Sequence, residues 1–329
     1  MKIAILGAGA WGTALAINLS ASHQVTLWTR DPGQLAELVS HRVNRRYLPD
    51  LFLPDSLRLT SELDSAVKAA EFILMAIPVA GLRELLQKIR GTGRALPVIL
   101  GCKGFEVRSA MLPHQVVREV YSATAPYGIL SGPSFAQEVA RGLPTALTLA
   151  SDDDAFSKYI IGEIHTTYLR IYSSSDVVGV ETAGAIKNVI AIATGISDGL
   201  KLGNNARAAL ITRGLAEITR MGVALGGCRE TFMGLAGIGD LILTCTGDMS
   251  RNRQVGMMLA AGQLLPEILQ KIGHVAEGVH TAREAEQMSR RLKIEMPVTQ
   301  AVCSIIYDDV PAERVVKKIL DREPKTEFD

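Results

Sequence analysis

Gly7-Ala8-Gly9-Ala10-Trp11-Gly12 is the stretch on which the reading of this chain turns. It follows the apolar run Lys2-Ile3-Ala4-Ile5-Leu6 directly and opens the helical pattern Gly12 to Ser20. Gly7 permits a tight turn, Gly9 lets backbone N–H groups approach a pyrophosphate at a helix N-terminus, and Gly12 lets the helix pack close. A G-x-G-x-x-G between a strand and a helix is a dinucleotide fingerprint, whereas the same glycines elsewhere would mark only a flexible turn.

Working outward, short apolar runs alternate with amphipathic ones. Strands are expected at Lys2 to Leu6, Gln24 to Trp28, Phe72 to Ile77, Val98 to Leu100, Gly128 to Leu130, Ala146 to Leu149 and Leu169 to Tyr172. Helical patterns lie between them, among them Pro32 to Ser40, Leu63 to Ala70, Val79 to Ile89 and Pro113 to Tyr121. This alternation predicts an α/β fold with a doubly wound, Rossmann-type parallel sheet. After Asp176 the strand signal stops, and long helical stretches follow, ending with Thr281 to Leu292, Thr299 to Tyr307 and Ala312 to Leu320. The division expected is a dinucleotide-binding domain over 1–177 and an all-helical substrate domain over 178–329. The run Ser173-Ser174-Ser175-Asp176 reads as a linker ending in a helix N-cap.

A length of 329 residues suits two domains, and 47% hydrophobic with 21% charged residues is the balance of a globular chain. Lys plus Arg number 35 against 34 Asp plus Glu, so the net charge of +1 provides no general field for a nucleic acid or an anionic membrane. Any anion must be held locally. Three glycines break the apolar N-terminus as a signal peptide, and no uninterrupted apolar run reaches the roughly 18 residues of a bilayer span. Cys102, Cys228, Cys245 and Cys303 form no C-x-x-C pair, and the six histidines have no close ligand spacing. A reducing cytoplasm and no metal are expected. The basic cluster Arg42, Arg45 and Arg46 falls in a proline-bounded stretch and reads first as a solvated loop, with a place near a cofactor phosphate as the alternative.

At the end of the second strand, Arg30 lies eighteen residues after Gly12, where the residue facing the adenosine ribose is expected. A guanidinium there pairs with the 2′-phosphate of NADP, whereas a carboxylate would accept from the 2′-OH of NAD. Asp31 next door offers that carboxylate, so both NADP and NAD stay open; FAD would also favour an acidic residue here.

Four further segments carry chemistry. Gly101-Cys102-Lys103-Gly104 follows a strand, which aims Lys103 at the crevice where open α/β sheets bind ligands. In Ser131-Gly132-Pro133-Ser134-Phe135-Ala136, Ser134 is expected to cap the helix carrying Glu138, leaving a nest of N–H groups for an anion. Lys187 and Asn188 are the strongly polar side chains of the apolar stretch Ala183 to Ala193. A lysine so placed either snorkels to water or works with a depressed pKa, and then it can exchange a proton with a carbonyl oxygen. Finally, Gly237-Ile238-Gly239-Asp240-Leu241, running to Thr244, supplies an acid that caps a helix or pairs with Lys187. Ser250-Arg251-Asn252 supplies an arginine fork beside a helix start, suited to a phosphate monoester.

Taken in order with Gly184-Ala185-Ile186-Lys187-Asn188-Val189 and Val275-Ala276-Glu277-Gly278, these motifs resemble the NAD(P)-dependent glycerol-3-phosphate dehydrogenase family of the bacterial type over nearly the whole chain. The resemblance implies reversible reduction of dihydroxyacetone phosphate to sn-glycerol 3-phosphate with NADPH or NADH, feeding glycerophospholipid synthesis. It implies Lys187 as proton donor and acceptor, with Lys103 and Asp240 beside it. Lys103, Gly132, Ser134, Lys187, Asp240, Ser250, Arg251 and Asn252 would hold the substrate. Gly7, Gly9, Ala10, Trp11, Gly12, Arg30, Lys103, Ala136, Arg251, Val275 and Glu277 would meet the cofactor. Ala10 departs from the family, where many members carry Ser or Thr, and a hydroxyl contact to the pyrophosphate is lost there. Two competing readings remain at this point. A β-hydroxyacid dehydrogenase of the same architecture would recognise a carboxylate, and a nucleotide sensor would bind the cofactor without turnover. Such two-domain dehydrogenases often form homodimers, but no feature of the sequence marks an interface.

Overall fold

The computed structural model describes residues 1–273, 276–321 and 326. Its centre is an eight-stranded sheet made of β1 (Lys2–Leu6), β2 (Gln24–Trp28), β5 (Arg58–Thr60), β6 (Phe72–Met75), β7 (Val98–Leu100), β8 (Tyr127–Ser131), β9 (Thr145–Ala150) and β10 (Leu169–Ser174). A separate two-stranded hairpin, β3 (Val43–Asn44) with β4 (Leu48–Phe52), lies outside it. The strand order is β10-β9-β8-β7-β6-β1-β2-β5. Strands β6 and β7 read Phe-Ile-Leu-Met and Val-Ile-Leu and are buried throughout, as strands covered by helices on both faces must be. Helices α1 (Ala10–Leu19), α2 (Pro32–His41), α3 (Leu63–Ala69), α4 (Leu82–Gly91), α5 (Pro113–Val120), α6 (Ala136–Ala140) and α7 (Asp154–Ile164) supply that cover. The chain runs from β1 toward β5 on one side and from β6 toward β10 on the other. The order therefore reverses between β1 and β6, and a crevice opens outside their carboxyl ends.

Two features depart from the sequence expectation. Strands β9 and β10 pair in parallel with each other, but β8 pairs with β9 antiparallel, so the last two strands run against the rest. The connection from β8 contains only the five-residue helix α6, too short for the helical crossover that a parallel return requires. The arginine cluster is also not a plain solvated loop. Arg42 closes α2 in a left-handed conformation and turns its guanidinium onto the carbonyls of Pro54 and Leu57, while Arg45 and Arg46 sit on the hairpin turn.

Beyond Asp176 the described residues form only helical elements: α8 (Val177–Gly199), α9 (Gly203–Ala224), α10 (Asp240–Thr246), α11 (Arg251–Ala260), α12 (Leu265–Ile272), α13 (Glu277–Leu292), α14 (Pro297–Tyr307) and α15 (Ala312–Leu320), with short turns between α9 and α10. Asp176 caps α8 as expected, its Oδ1 accepting from the N–H of Gly179 at 2.8 Å, whereas Ser173 and Ser174 belong to β10. Helix α8 is long and apolar enough to cross a membrane by composition, yet 94% of its apolar window is buried within the protein. It is the axis of the helical half, with α9, α10, α11, α13 and α14 packed round it. Glycines set the closest of these contacts. A Cβ on Gly195 would lie 2.0 Å from the carbonyl oxygen of Arg253, and one on Gly256 would lie 2.1 Å from that of Ile192. Any larger residue would push α11 away from α8 and, with it, Arg251 and Asn252 away from Lys187.

Candidate active site

The glycine loop lies at the reversal point. Gly7 has φ +117°, a left-handed value that favours glycine, and a Cβ there would meet the carbonyl oxygen of Ala76 at 2.5 Å. A Cβ on Gly12 would lie 2.0 Å from the carbonyl oxygen of Gly7, so the first turn of α1 is folded back onto the loop. Gly9 differs from both: among the described residues, its neighbours along the chain aside, no atom lies within 4 Å of where its Cβ would be. That open space faces the start of α1, whose first N–H groups have no carbonyl one turn earlier to accept them. The site therefore fits a dinucleotide pyrophosphate. The loop is held from behind, since the carbonyl of Ala8 accepts from Gln34 Nε2 at 2.8 Å and Asn44 Nδ2 at 3.0 Å.

Around this loop the other cofactor candidates fall into place unevenly. Trp11 reaches the end of β7, its indole nitrogen 2.9 Å from where a Cβ of Gly101 would be. Ala136 begins α6, which packs on α1. Arg30 is exposed at the end of β2, while the Asp31 carboxylate is occupied as the N-cap of α2, accepting from Gly33 and Gln34. One oxygen of the Asp31 carboxylate, Oδ1, thus serves its own helix, and the Arg30 side chain is exposed beside it. Val275 lies outside the described residues.

The chemical centre is a cluster of one carboxylate and two lysines, in which Asp240 and Lys187 are buried and Lys103 is partly exposed. Lys187, 6% exposed on α8, donates from Nζ to Asp240 Oδ1 at 2.5 Å and to Thr244 Oγ1 at 2.8 Å. Lys103, from the turn after β7, donates to Asp240 Oδ2 at 2.6 Å and to the carbonyl of Gly132 at 3.4 Å. Its aliphatic stem passes over Gly184, where a Cβ would come within 3.4 Å of it. Asp240, 2% exposed at the start of α10, therefore pairs with lysines rather than capping the helix with its side chain. Burial drives the Lys187 pKa down from 10.5 to about 8, against the pull of Asp240 and with the help of Lys103. Burial works to raise the Asp240 carboxyl, but the two ammonium groups outweigh it and hold the carboxyl below its ordinary value.

The anion clamp is built on the next helix. Ser250 caps α11, its Oγ accepting from the N–H of Arg253 at 3.3 Å, and Arg251 stands exposed at the first position. Asn252 is turned inward, donating to Asn188 Oδ1 at 3.0 Å and accepting from the N–H of Gly278 at 3.1 Å. It thereby ties α11 to α8 and to the start of α13. Glu277, the first residue of α13, is raised to about 7 by burial, opposed by the charges of Arg251, Lys103 and Lys187. Its carboxyl therefore shares this neighbourhood.

One expectation fails. Ser134 does not cap α6: its Oγ donates to the carbonyl of Gly132 at 3.0 Å, and the helix begins after Phe135, which has no capping side chain. The Phe135 ring instead packs where a Cβ of Gly247 would sit, against the helical half. Thr244, one turn after Asp240 on α10, joins the cluster through Lys187 and Asp240, and that i, i+4 spacing is the signal of its place in the sequence.

Comparison with known proteins agrees with this geometry. Residues 2–157 match the model of the NAD-dependent glycerol-3-phosphate dehydrogenase N-terminus, and residues 176–317 match that of the C-terminus. The chain is 69% identical over 329 residues to a protein of Nitrosomonas eutropha named glycerol-3-phosphate dehydrogenase (NAD(P)+), with the whole of both chains covered. It is 65% identical, again over the whole of both, to the protein of that name from Nitrosomonas europaea. The crystal structure of glycerol-3-phosphate dehydrogenase from Coxiella burnetii superposes with a TM-score of 0.94 at 41% identity, covering 98% of this chain and 99% of that one. With both halves of the fold and both ends of the site accounted for in one order along the chain, this protein belongs to the NAD-dependent glycerol-3-phosphate dehydrogenase family.

Proposed function

We propose that the protein interconverts dihydroxyacetone phosphate and sn-glycerol 3-phosphate with NADPH or NADH, in the cytoplasm, as a supply of glycerophosphate for glycerophospholipid synthesis. The observation that carries the reading is the Lys187–Asp240–Lys103 cluster at the carboxyl end of the sheet, next to an arginine at a helix start. When bound, the nicotinamide supplies the hydride. The protein's part is to place and charge the ketone. Lys187, with a pKa of about 8, carries a proton in neutral solution and is weak enough in its hold to give it to a carbonyl oxygen gaining negative charge. In the reverse direction its neutral amine takes that proton from the alcohol. Asp240 and Thr244 hold the Lys187 nitrogen, so its proton is aimed before substrate arrives. Lys103 places a second positive charge near the same oxygen.

Arg251, Asn252 and the amides at the start of α11 supply the phosphate clamp in this reading, with Ser250 fixing the helix start. Gly132, Ser134 and Lys103 border the other side. Glycines 7, 9 and 12, Ala10, Trp11, Arg30, Ala136 and Glu277 line the cofactor groove. We assign residues 1–177 to cofactor binding and 178–329 to substrate binding and catalysis, with the cluster drawing Lys103 from the first and Lys187 and Asp240 from the second. The test is the loss of NADPH absorbance with dihydroxyacetone phosphate, beside dihydroxyacetone alone and beside NADH. Rapid oxidation that depends on the phosphate is expected. Cofactor binding with no oxidation of the phosphorylated ketone would sink the proposal.

A further inference from the structure

Helix α11 carries a second arginine that the chemistry above does not use. Arg253 lies two residues past Arg251 and so on the other side of the helix. Arg251 is exposed, whereas the Arg253 side chain is 9% exposed and meets Asp198, 7% exposed, near the end of α8. Its Nε donates to Asp198 Oδ2 at 2.7 Å, and its Nη1 donates to Asp248 Oδ1 at 2.9 Å in the turn before α11. Its N–H is taken by Ser250, and its carbonyl oxygen is the one for which Gly195 leaves room. The other oxygen of Asp198 is occupied too, since Arg207 near the start of α9 donates from Nε to Oδ1 at 2.7 Å.

A buried ion pair is a poor means of holding two helices together, because apolar side chains of the same volume do so without the desolvation cost. What this pair adds is direction. Asn252 reaches back along α8 to Asn188, while its neighbour Arg253 reaches forward to Asp198. The two ties are ten residues apart on α8, roughly 15 Å along its axis, and the close contacts at Gly195 and Ile192 lie between them. A helix resting on one close contact can pivot about it; a helix tied on both sides of that contact cannot. Asp198 is also eleven residues past Lys187, which is three turns and the same face of α8. One helix therefore carries both the lysine at the chemical centre and the anchor of the clamp.

We propose that Asp198, acting through Arg253, is a positioning residue for the substrate phosphate: it fixes the angle at which α11 presents Arg251 and its first amides, at a set reach from Lys187. The inference rests on the phosphate-clamp reading given above. Because Asp198 is three turns from Lys187, its loss weakens the hold on the phosphate in the ground state and the transition state alike, and so appears in KM rather than in kcat.

The experiment is steady-state reduction of dihydroxyacetone phosphate at saturating NADPH. Asp198→Asn keeps the shape and removes the charge. It is expected to raise the KM for dihydroxyacetone phosphate about 10- to 100-fold, with kcat within about threefold of wild type. A merely structural role would give the reverse, since a partly unfolded preparation loses kcat with its active fraction and keeps its KM. Arg253→Lys retains a cation for Asp198 but loses the guanidinium that also reaches Asp248, and its KM is expected between those of wild type and Asp198→Asn. If Asp198→Asn does not fold, Arg253→Lys decides the matter, and a wild-type KM there would sink the proposal. In an Arg251→Ala background, Asp198→Asn should raise KM by a smaller factor than it does alone, because the side chain being aimed is already gone. An unchanged KM in Asp198→Asn, a fall in kcat alone, or an undiminished factor in the Arg251→Ala background would each overturn the proposal. A wild-type protein that reduces dihydroxyacetone as readily as its phosphate would overturn the clamp reading, and this proposal with it.

Discussion

The two ends of the crevice are built by opposite means. At the glycine loop, recognition depends on side chains that are absent: Gly7 and Gly12 have no room for a Cβ, and Gly9 has open space where one would be. At the lysine cluster it depends on side chains that are costly to have there, three ionisable groups drawn from the turn after β7, from α8 and from α10, two of them buried. The difference implies a division of labour. Changes at the first end act through shape and should appear in cofactor binding; changes at the second act through charge and should appear in turnover and its pH dependence.

The strongest way to break that division is Lys187→Ala. With its proton source removed, kcat should fall by about 10²- to 10⁴-fold, while the dissociation constant of NADPH measured by fluorescence titration stays near that of wild type. Equal losses in both would mean that the two ends are not separable. The converse substitution is Gly12→Ala, whose Cβ would meet the Gly7 carbonyl oxygen at 2.0 Å, backbone against backbone. Strain of about 1–3 kcal/mol corresponds to roughly 5- to 150-fold in the cofactor KM, with kcat at saturating cofactor largely retained. A kcat loss without a KM change would contradict the steric account.

The same contrast explains how far the sequence could be read. The glycine loop was legible because its requirements are local: a strand, a turn and a helix within one short segment. Lys187 was legible because a lysine in an apolar helix is conspicuous by its cost. Its partners were only half visible, since Asp240 meets Lys103 across 137 residues and no local pattern encodes that contact. The same holds for the Asn188–Asn252–Gly278 link, which only the close packing of α8 and α11 brings together. Strand direction was hidden for a different reason. Neither a buried run such as β9 nor an alternating edge strand such as β10 carries its direction in its pattern, so the reversal of the two left no trace in the sequence. The three-residue edge strand β5 and the short hairpin strands are too brief to show alternation.

A finer test belongs to the charged end alone. Lys187 must be protonated for ketone reduction and neutral for alcohol oxidation. With a pKa of about 8, reduction should decline as pH rises through 8, and oxidation should rise through the same range. Asp240 is the partner that raises this pKa against burial and Lys103. Asp240→Asn should therefore move the midpoint of both limbs to lower pH, besides lowering kcat through loss of aim. A profile that keeps its midpoint in Asp240→Asn would show that Lys187 is not the group being titrated. Gly12→Ala should leave the midpoint in place, which makes the profile a direct measure of how separate the two ends are.

The smallest effect is expected where charge enters the cofactor end. Arg30 is exposed at the end of β2, and its neighbour Asp31 is committed to the Gly33 and Gln34 amides. With the carboxylate engaged, the ribose 2′ position of a bound dinucleotide would face a guanidinium, which favours a phosphate there over a hydroxyl. Because the group is exposed and screened by salt, Arg30→Ala should raise the KM for NADPH by only about three- to tenfold, with the KM for NADH nearly unchanged. The NADPH penalty should shrink further as ionic strength rises, whereas the steric penalty of Gly12→Ala should not respond to salt. Steady-state kinetics of both variants at two salt concentrations would separate these effects. Equal losses for NADPH and NADH in Arg30→Ala would give it no part in reading the 2′ position and would leave cofactor choice to other residues.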